Sequence, residues 1–565
     1  MSAPPWARRG HAVAGPVALL VVLVLAACAS LPQEGPVRQG DPDVTEPGSI
    51  ALLARLPGPG DDPEQIVDGF LRAAAAGLTD DFTVAREFLT GSVRSAWDPL
   101  ARVDVHAGQP SLERNPDTEV VEVTAPVSAV IDGTGRYTEA APGSQARTRF
   151  GLVQDDGEWR IRELADGVLL SEPIFRSLFQ QVPLYFVEPS GAALVSETRW
   201  FPRRSAETAA VSGLLAGPSP WLETGAASRF PPGTTLLVDT VTVRDGVAQV
   251  GLSTEARGAA PEDRALMLAQ LAETLVGLPR VQSVEVSVSG APFDTATVRR
   301  DLVVDPSVGT SPVVLSDGVL SRVEGNDLVP WGETAPISVP AASHPAIPFG
   351  LGVPVVLSGG TAVVTVPPQD VPAATLLAGA ERLTPPSFDR LGWVWTAAVS
   401  GTVVHAFRVD GTRVLVDADW LAGRDVRALR ISREGARALV LSEAGGSVRL
   451  DFAAVVRDAA GTPVAIGPPL QIGQRIVDAT TGVWVDQQTV AVLGRTTSAS
   501  TDTVMLTGVG GPTSALPPVD GAVGIAAGKG DRLIFVTTAA GVLVTRNGLS
   551  WTPTVRGVRD PAFPG

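Results

Sequence analysis

Ser432-Arg433-Glu434-Gly435-Ala436-Arg437-Ala438-Leu439-Val440-Leu441 is a polar turn running straight into a short apolar strand, and the chain repeats it. Ser387-Phe388-Asp389-Arg390 precedes Gly392-Trp393-Val394-Trp395, and Trp484-Val485-Asp486-Gln487 precedes Val490-Ala491-Val492-Leu493. Gly530-Asp531-Arg532 precedes Leu533-Ile534-Phe535-Val536, with fainter echoes at Ser316-Asp317-Gly318 and Ser358-Gly359-Gly360-Thr361. A turn and an apolar strand returning every roughly 40 to 50 residues is what one blade of a β-propeller requires. The spacing predicts about five to seven blades between Pro306 and Thr554. A pair of β-sandwiches is the alternative that the same residues leave open. Asp389, Glu434, Asp486 and Asp531 sit at the repeated turns, and turn preference alone accounts for them.

Before the repeats, residues 182–292 mix helix and strand. Val182 to Val187 reads as a strand, Ala206 to Leu215 as a helix stopped at Gly217-Pro218, and Leu236, Val238, Val241 and Val243 as a strand. Arg244-Asp245-Gly246 turns into Val247–Ser253, an amphipathic helix runs from Pro261 to Leu275, and Val281 to Val288 closes the unit. This β-α-β-β-α-β order predicts helices on one face of a mixed sheet.

Residues 62–175 form an earlier α+β unit. Asp62-Pro63-Glu64 opens a helix with a capping acid and Pro at the first position, and Ile66, Phe70, Leu71 and Ala74 give it an apolar face. A second helix is expected from Phe82 to Phe88, with Trp97 packed behind it. Beyond Pro99 the apolar period becomes two, and Asp155-Asp156-Gly157 marks a hairpin. Helices followed by an antiparallel sheet resemble the cone-shaped nuclear-transport-factor-like (NTF2-like) fold. Some members of that fold hold a His-Asp pair. Here Asp104 and His106 lie two apart on one strand and read as satisfied polar groups.

At the N-terminus Arg8 and Arg9 precede an apolar run from Val17 to Leu25, short for an uncut spanning helix. The run closes on Leu25-Ala26-Ala27-Cys28, which fits the bacterial lipobox. That signal implies a leader at 1–27 and diacylglycerol on the Cys28 thiol, with an N-acyl chain (palmitate-type) on its new amino group. A Pro- and Asp-rich tether at 28–61 would then reach about 30 Å as a coil. Cys28 is the single cysteine, so no internal disulfide forms.

Apolar residues make up 44% of the 565, charged residues 18%, and the 59 Gly and 48 Pro favour a turn-rich β protein of about two to four domains. Lys529 is the sole lysine, and this bias to arginine suggests a GC-rich actinobacterial source. The net charge of −16, two units more negative once Arg8 and Arg9 are cleaved away, repels nucleic acid and anionic lipid. Membrane attachment must therefore come from acyl chains.

Two resemblances follow. Leu214-Leu215-Ala216-Gly217-Pro218, Asp245-Gly246-Val247-Ala248 with Leu252-Ser253, Gln270–Leu275 and Leu278-Pro279-Arg280-Val281 resemble a GerMN domain. Members commonly carry Asp where this chain has Gly251, and the domain is regarded as an interaction module. The order lipobox, tether, NTF2-like domain (62–175), GerMN domain (182–292) and propeller (306–560) resembles the LpqB lipoproteins of actinobacteria. Leu383–Asp389 with Trp393 and Trp395, and Val456-Arg457-Asp458 with Gly461-Thr462-Pro463, are similar to that family's propeller motifs. The fold class is thus multidomain: two small α+β domains, then an all-β propeller. The resemblance implies a cell-membrane lipoprotein on the extracytoplasmic face that contacts the sensor histidine kinase MtrB of the MtrA–MtrB two-component system. Envelope homeostasis and division follow from it.

Catalytic patterns are lacking: there is no Gly-x-Ser-x-Gly elbow, His-Glu-x-x-His helix or Walker loop. His106, His344 and His405 stand far apart in sequence, so the reading is of a non-enzyme with no cofactor and no metal. The competing reading is a wall lipoprotein that binds, or hydrolyses, peptidoglycan or another glycan at the propeller mouth, where carboxylates need only meet in space.

Overall fold

The structure is a computed structural model that describes residues 54–293, 301–401 and 403–565. In the first unit α1 (Pro63–Ala76) begins as expected: the Asp62 carboxylate accepts from Gln65 N–H, and the Gln65 side chain accepts in return from Asp62 N–H. Its apolar face meets Trp97 and Phe150, whose rings lie 5.2 and 5.8 Å from that of Phe70. The second helix is shorter than its apolar pattern suggests: α2 spans only Thr83–Arg86. Asp80 caps the backbone N–H of Phe82 and Val84, and Phe82 sits at φ +61°, so the chain makes one turn and leaves. Two more short helices are α3 (Gly91–Ala96) and α4 (Glu172–Leu178).

Seven strands follow in this unit: β1 (Arg102–His106), β2 (Ser111–Asn115), β3 (Val120–Asp132), β4 (Tyr137–Glu139), β5 (Gln145–Asp155), β6 (Glu158–Glu163) and β7 (Val168–Ser171). The central order is β6-β5-β3-β1-β7, with β2 and β4 also on β3; only β1 and β7 run parallel. Asp156 (φ +52°) and Gly157 (φ +83°) make the β5–β6 hairpin that the sequence announces.

The second unit departs from the single mixed sheet that the sequence predicts. β8 (Phe179–Val187) pairs with β9 (Leu194–Pro202) in a sheet of their own. β10 (Thr242–Arg244), β11 (Val247–Leu252), β12 (Ser283–Val288) and β13 (Ala291–Pro292) form the other sheet, with β11 and β12 parallel across α6 (Pro261–Val276). The other helix is α5 (Ala206–Ala216). β9 escapes a pattern search because it buries Ser196, Glu197, Thr198 and Arg199 among its apolar residues. The strand expected over Leu236–Val243 is broken: Thr240 N–H turns back to the Val238 carbonyl, and Leu237 and Val238 face solvent. Gln270 and Thr274 of α6 are fully buried because they bond the backbone edge of β8, at Tyr185 O and Tyr185 N–H.

The third unit is all β: six sheets, each of four strands along its main path, arranged as the blades of a propeller. We number the blades I to VI in chain order. Their inner strands are Arg559–Ala562 (I), Ala342–Ala346 (II), Ser387–Phe388 (III), Asp425–Ile431 (IV), Ile476–Trp484 (V) and Ala522–Ala527 (VI). Blade I is completed by chain ends that meet: Arg559–Ala562 pairs with Val313–Ser316 and closes the ring. The four strong sequence repeats mark turns that leave the inner strands of blades III to VI. The two faint echoes are out of phase by one strand. Ser316-Asp317-Gly318 and Ser358-Gly359-Gly360-Thr361 join later strands of blades I and II.

The repeated acids do more than make turns. Asp389 is 1% exposed and accepts from Leu391 N–H, Trp393 N–H, Trp395 Nε1 at 3.0 Å and Arg457 at 2.6 Å. It thereby binds the outer part of blade IV to blade III. Glu434 is buried against Arg437, whereas Asp486 caps Gln488 and Thr489 in a plain turn and Asp531 pairs with Arg546 near the surface.

Candidate functional site: the central channel of the propeller

The inner strands converge on a cavity of about 580 Å³, to which all six blades contribute. Five of the six inner strands slip register against their neighbours, near Asp560, His344, Arg427, Asp478–Thr481 and Gly524; only that of blade III stays regular. Such bulges redirect side chains beside functional sites. His344 (φ +48°) and Asp560 (φ +50°) hold left-handed backbone on adjacent inner strands, a conformation that costs a non-glycine residue roughly 1–3 kcal/mol. Their side chains meet at 3.8 Å, and Arg559 also reaches Asp560 at 2.9 Å.

Blade IV supplies three arginines: Arg427 and Arg430 on its inner strand and Arg433 on the turn that follows. Arg433 is 5% exposed and donates to the carbonyls of Trp484, Val485, Ala527 and Gly528 at 2.9–3.1 Å, so it ties blades V and VI to its own. Burial pushes its guanidinium below the ordinary range, against the pull of Asp305, Asp486 and Glu434. Arg427 is neutralised by Glu443 and by Asp478 at 3.0 Å. Arg430 differs from both. Its Nη1 donates to the carbonyls of Pro385 and Pro386 at 2.8 and 3.0 Å, and among the described residues no carboxylate pairs with it. Burial alone pushes it down to about 10. Arg382, on the segment leading into blade III, is exposed at the same cavity. Exposure along blade IV falls from the half-buried Arg427 and Arg430 to the buried Arg433, so the channel opens where the inner strands begin. Trp484, Ile525 and Phe563 give it an apolar lining deeper in.

At the closed end the GerMN-like unit docks. The turn that carries Arg433 continues to Arg437, whose Nη1 donates to Ser196 O of β9 at 3.1 Å and whose Nε donates to Glu434 at 2.7 Å. Trp200 Nε1 and Gln181 Nε2 both donate to Gly510 O of blade V, and Thr513 bonds Glu139 of the first unit through N–H and Oγ1, each at 2.7 Å. Trp221 meets Phe452 across this seam with tilted rings, and Phe452 stacks on Trp484.

Cys28, Leu25, Ala26 and Ala27 lie outside the described residues. Asp104 is held by Arg102 at 2.8 Å and His106 Nδ1 lies 2.7 Å from Gly108 O, and neither lines the channel. None of the four repeat acids lines the channel, and of His106, His344 and His405 only His344 does. Among the described residues there is no group of three metal-ligating side chains and no helix long and apolar enough to cross a membrane. Sequence reasoning missed Arg382, Arg430 and Asp560. An arginine at every third position, 427, 430 and 433, through a strand and its following turn is the signal that could have found the first cluster.

An α+β unit and a GerMN-like unit joined to a closed propeller define a multidomain propeller protein. The chain matches the profiles "Lipoprotein LpqB, N-terminal domain" over 56–176, "Sporulation and spore germination" over 183–294 and "Lipoprotein LpqB beta-propeller domain" over 318–564. It belongs to the lipoprotein LpqB family. Lipoprotein LpqB of Thermobifida fusca is 28% identical over 636 residues, covering 98% of this chain and 99% of its own. That of Bifidobacterium longum is 28% identical over 452 residues, 76% of each chain. Among solved structures, the first GerMN domain of the sporulation protein GerM from Bacillus subtilis is 22% identical, over 20% of this chain and 86% of that one, with a TM-score of 0.18. TolB from Acinetobacter baumannii is 14% identical over 45% and 65%, with a TM-score of 0.34.

Proposed function

We propose that this chain is a cell-surface lipoprotein, acylated at Cys28 behind Leu25-Ala26-Ala27, that acts without catalysis as an accessory of a membrane sensor histidine kinase of the MtrB type. Cell-envelope homeostasis and division are the processes it serves. The leader is 1–27, the tether 28–61, and the three folded domains 62–175, 182–292 and 306–560. The observation that carries the reading is the seam: Arg437 to Ser196, Trp200 and Gln181 to Gly510, and Glu139 to Thr513 bind all three units into one body. A rigid body moored by acyl chains searches for a membrane partner in two dimensions and passes a contact on one unit to the others.

Pull-down from detergent-solubilised membranes should enrich a histidine kinase, with cross-links to its extracytoplasmic part in intact cells. Recovery of no kinase by either route would sink the reading. Cys28→Ser should leave the chain uncleaved or free of the membrane, and unchanged acyl labelling of that variant would refute the anchor.

The channel favours a second reading, a peptidoglycan- or glycan-binding wall lipoprotein, because 580 Å³ is within the range of small-ligand pockets. Muropeptides that bind or are turned over by the purified chain would support it over the first.

A further inference from the structure

A chain with net charge −16 presents at its central cavity a set of cations whose opposite charges are missing. Arg427 and Arg433 are matched, by Glu443 and Asp478 and by four carbonyls, so their placement is structural. Arg430 is held from one side only. The carbonyls of Pro385 and Pro386 take Nη1 and fix the plane of the guanidinium. Nε and Nη2 have no acceptor among the described residues, yet neither is sealed from the cavity. These two N–H groups form the parallel edge that grips a carboxylate or phosphate through two oxygens. Arg382 stands at the same cavity with no ion pair among the described residues, and His344 lines it from blade II. Asp560 is the one acid of the lining, and His344 and Arg559 already engage it.

We infer that the channel binds a small molecule through an oxyanion, a phosphate or carboxylate gripped by the Nε/Nη2 edge of Arg430, with Arg382 as the second cation and the His344 imidazole beside them. The rest of the ligand lies against the apolar lining at Trp484, Ile525 and Phe563. Entry is from the end where the inner strands begin, because Arg433 is bonded across the other to carbonyls of blades V and VI. An acidic surface repels anions in general, so a local reversal of sign selects a ligand that fits over one that merely carries charge. This inference is independent of any kinase partner.

The test is calorimetric titration of the full-length chain in neutral detergent with inorganic pyrophosphate and with citrate, at constant ionic strength in chloride. At least one should saturate at one per chain. Arg430→Gln should weaken it tenfold or more, Arg382→Gln several-fold, and Arg72→Gln on the exposed face of α1 not at all. Pyrophosphate alone binding identifies a phosphoryl ligand and citrate alone a carboxylate; both outcomes uphold the oxyanion. No saturable binding of either, or equal affinity in Arg430→Gln, overturns it. Near-ultraviolet circular dichroism checks the fold of Arg430→Gln. If that spectrum is altered, Arg382→Gln decides, and unchanged affinity there overturns the proposal.

Discussion

Arg437 in the inter-domain seam and Arg430 in the channel stand on the same blade, and both are removed from bulk water to different degrees. Arg437 is 1% exposed and has a carboxylate partner, Glu434 at 2.7 Å, with the Ser196 carbonyl and the face of Trp484 at 5.1 Å, and only its Nη2 is left without an acceptor. Arg430 has two carbonyls and no carboxylate. The contrast extends to the neighbours. On β9, behind the seam, Glu197 and Arg199, each 2% exposed, pair at 3.4 Å, and Glu197 also takes Ser219 N–H at 2.9 Å. At the channel Arg430 and Arg382 have no carboxylate partner among the described residues. Buried charge that is internally matched holds parts in place, and charge left unmatched at an open cavity is available to a ligand.

The sharpest way to break this comparison is Arg437→Ala. It strands Glu434 in the interior and should cost about 3–5 kcal/mol of stability in urea unfolding. Replacing both partners with apolar residues, Arg437→Met with Glu434→Leu, should recover most of that loss, since the stranded charge goes with its partner. Next comes Gly510→Ala. Gly510 has φ +73°, and an added Cβ would lie 2.6 Å from the Thr198 carbonyl, so the seam must open; about 2 kcal/mol is expected. Arg430→Met should by contrast stay within about 1 kcal/mol of the parent when no ligand is present, because it removes a desolvated cation without leaving an opposite charge behind. A loss as large as that of Arg437→Ala would make Arg430 structural and erase the distinction.

How far residues alone carry the structure depends on whether their signal is local. The capped start of α1, the hairpin at Asp156-Gly157 and the α6 crossover were all legible, because caps, turns and periodicity act over a few residues. The propeller was legible as a repeat at blades III to VI and blurred at I and II, where the echo falls on the wrong strand. β9 was invisible because its polar centre is buried by contacts distant in sequence, Ser196 and Thr198 against the propeller and Glu197 and Arg199 against Ser219 and Gly217, which no window along the chain reports. The channel was illegible for the same reason: Arg382, Arg430, His344 and Asp560 belong to four blades, and only closure of the ring by Arg559–Ala562 brings them to one cavity.

The finest expected effect uses the two histidines as a matched pair. Partial burial, with Arg430 and Arg559 nearby, lowers His344 below its ordinary 6.5 against the pull of Asp560. His405, away from the channel, is lowered by burial and Arg413 against Glu381. For each, the unfolded chain binds the proton more readily than the folded one. Stability is therefore full above pH 6.5 and falls as pH drops through the folded-state value. Between pH 7.5 and pH 5 the urea midpoint should decline, and His344→Gln and His405→Gln should each remove part of that decline. A saturating anion in the channel stabilises protonated His344 and leaves His405 untouched. Pyrophosphate or citrate, whichever binds, should therefore remove the share of the decline that His344→Gln removes, and add nothing in that variant. An anion that flattened the profile equally in both histidine variants would be acting elsewhere on the surface, and the channel would lose its claim to it.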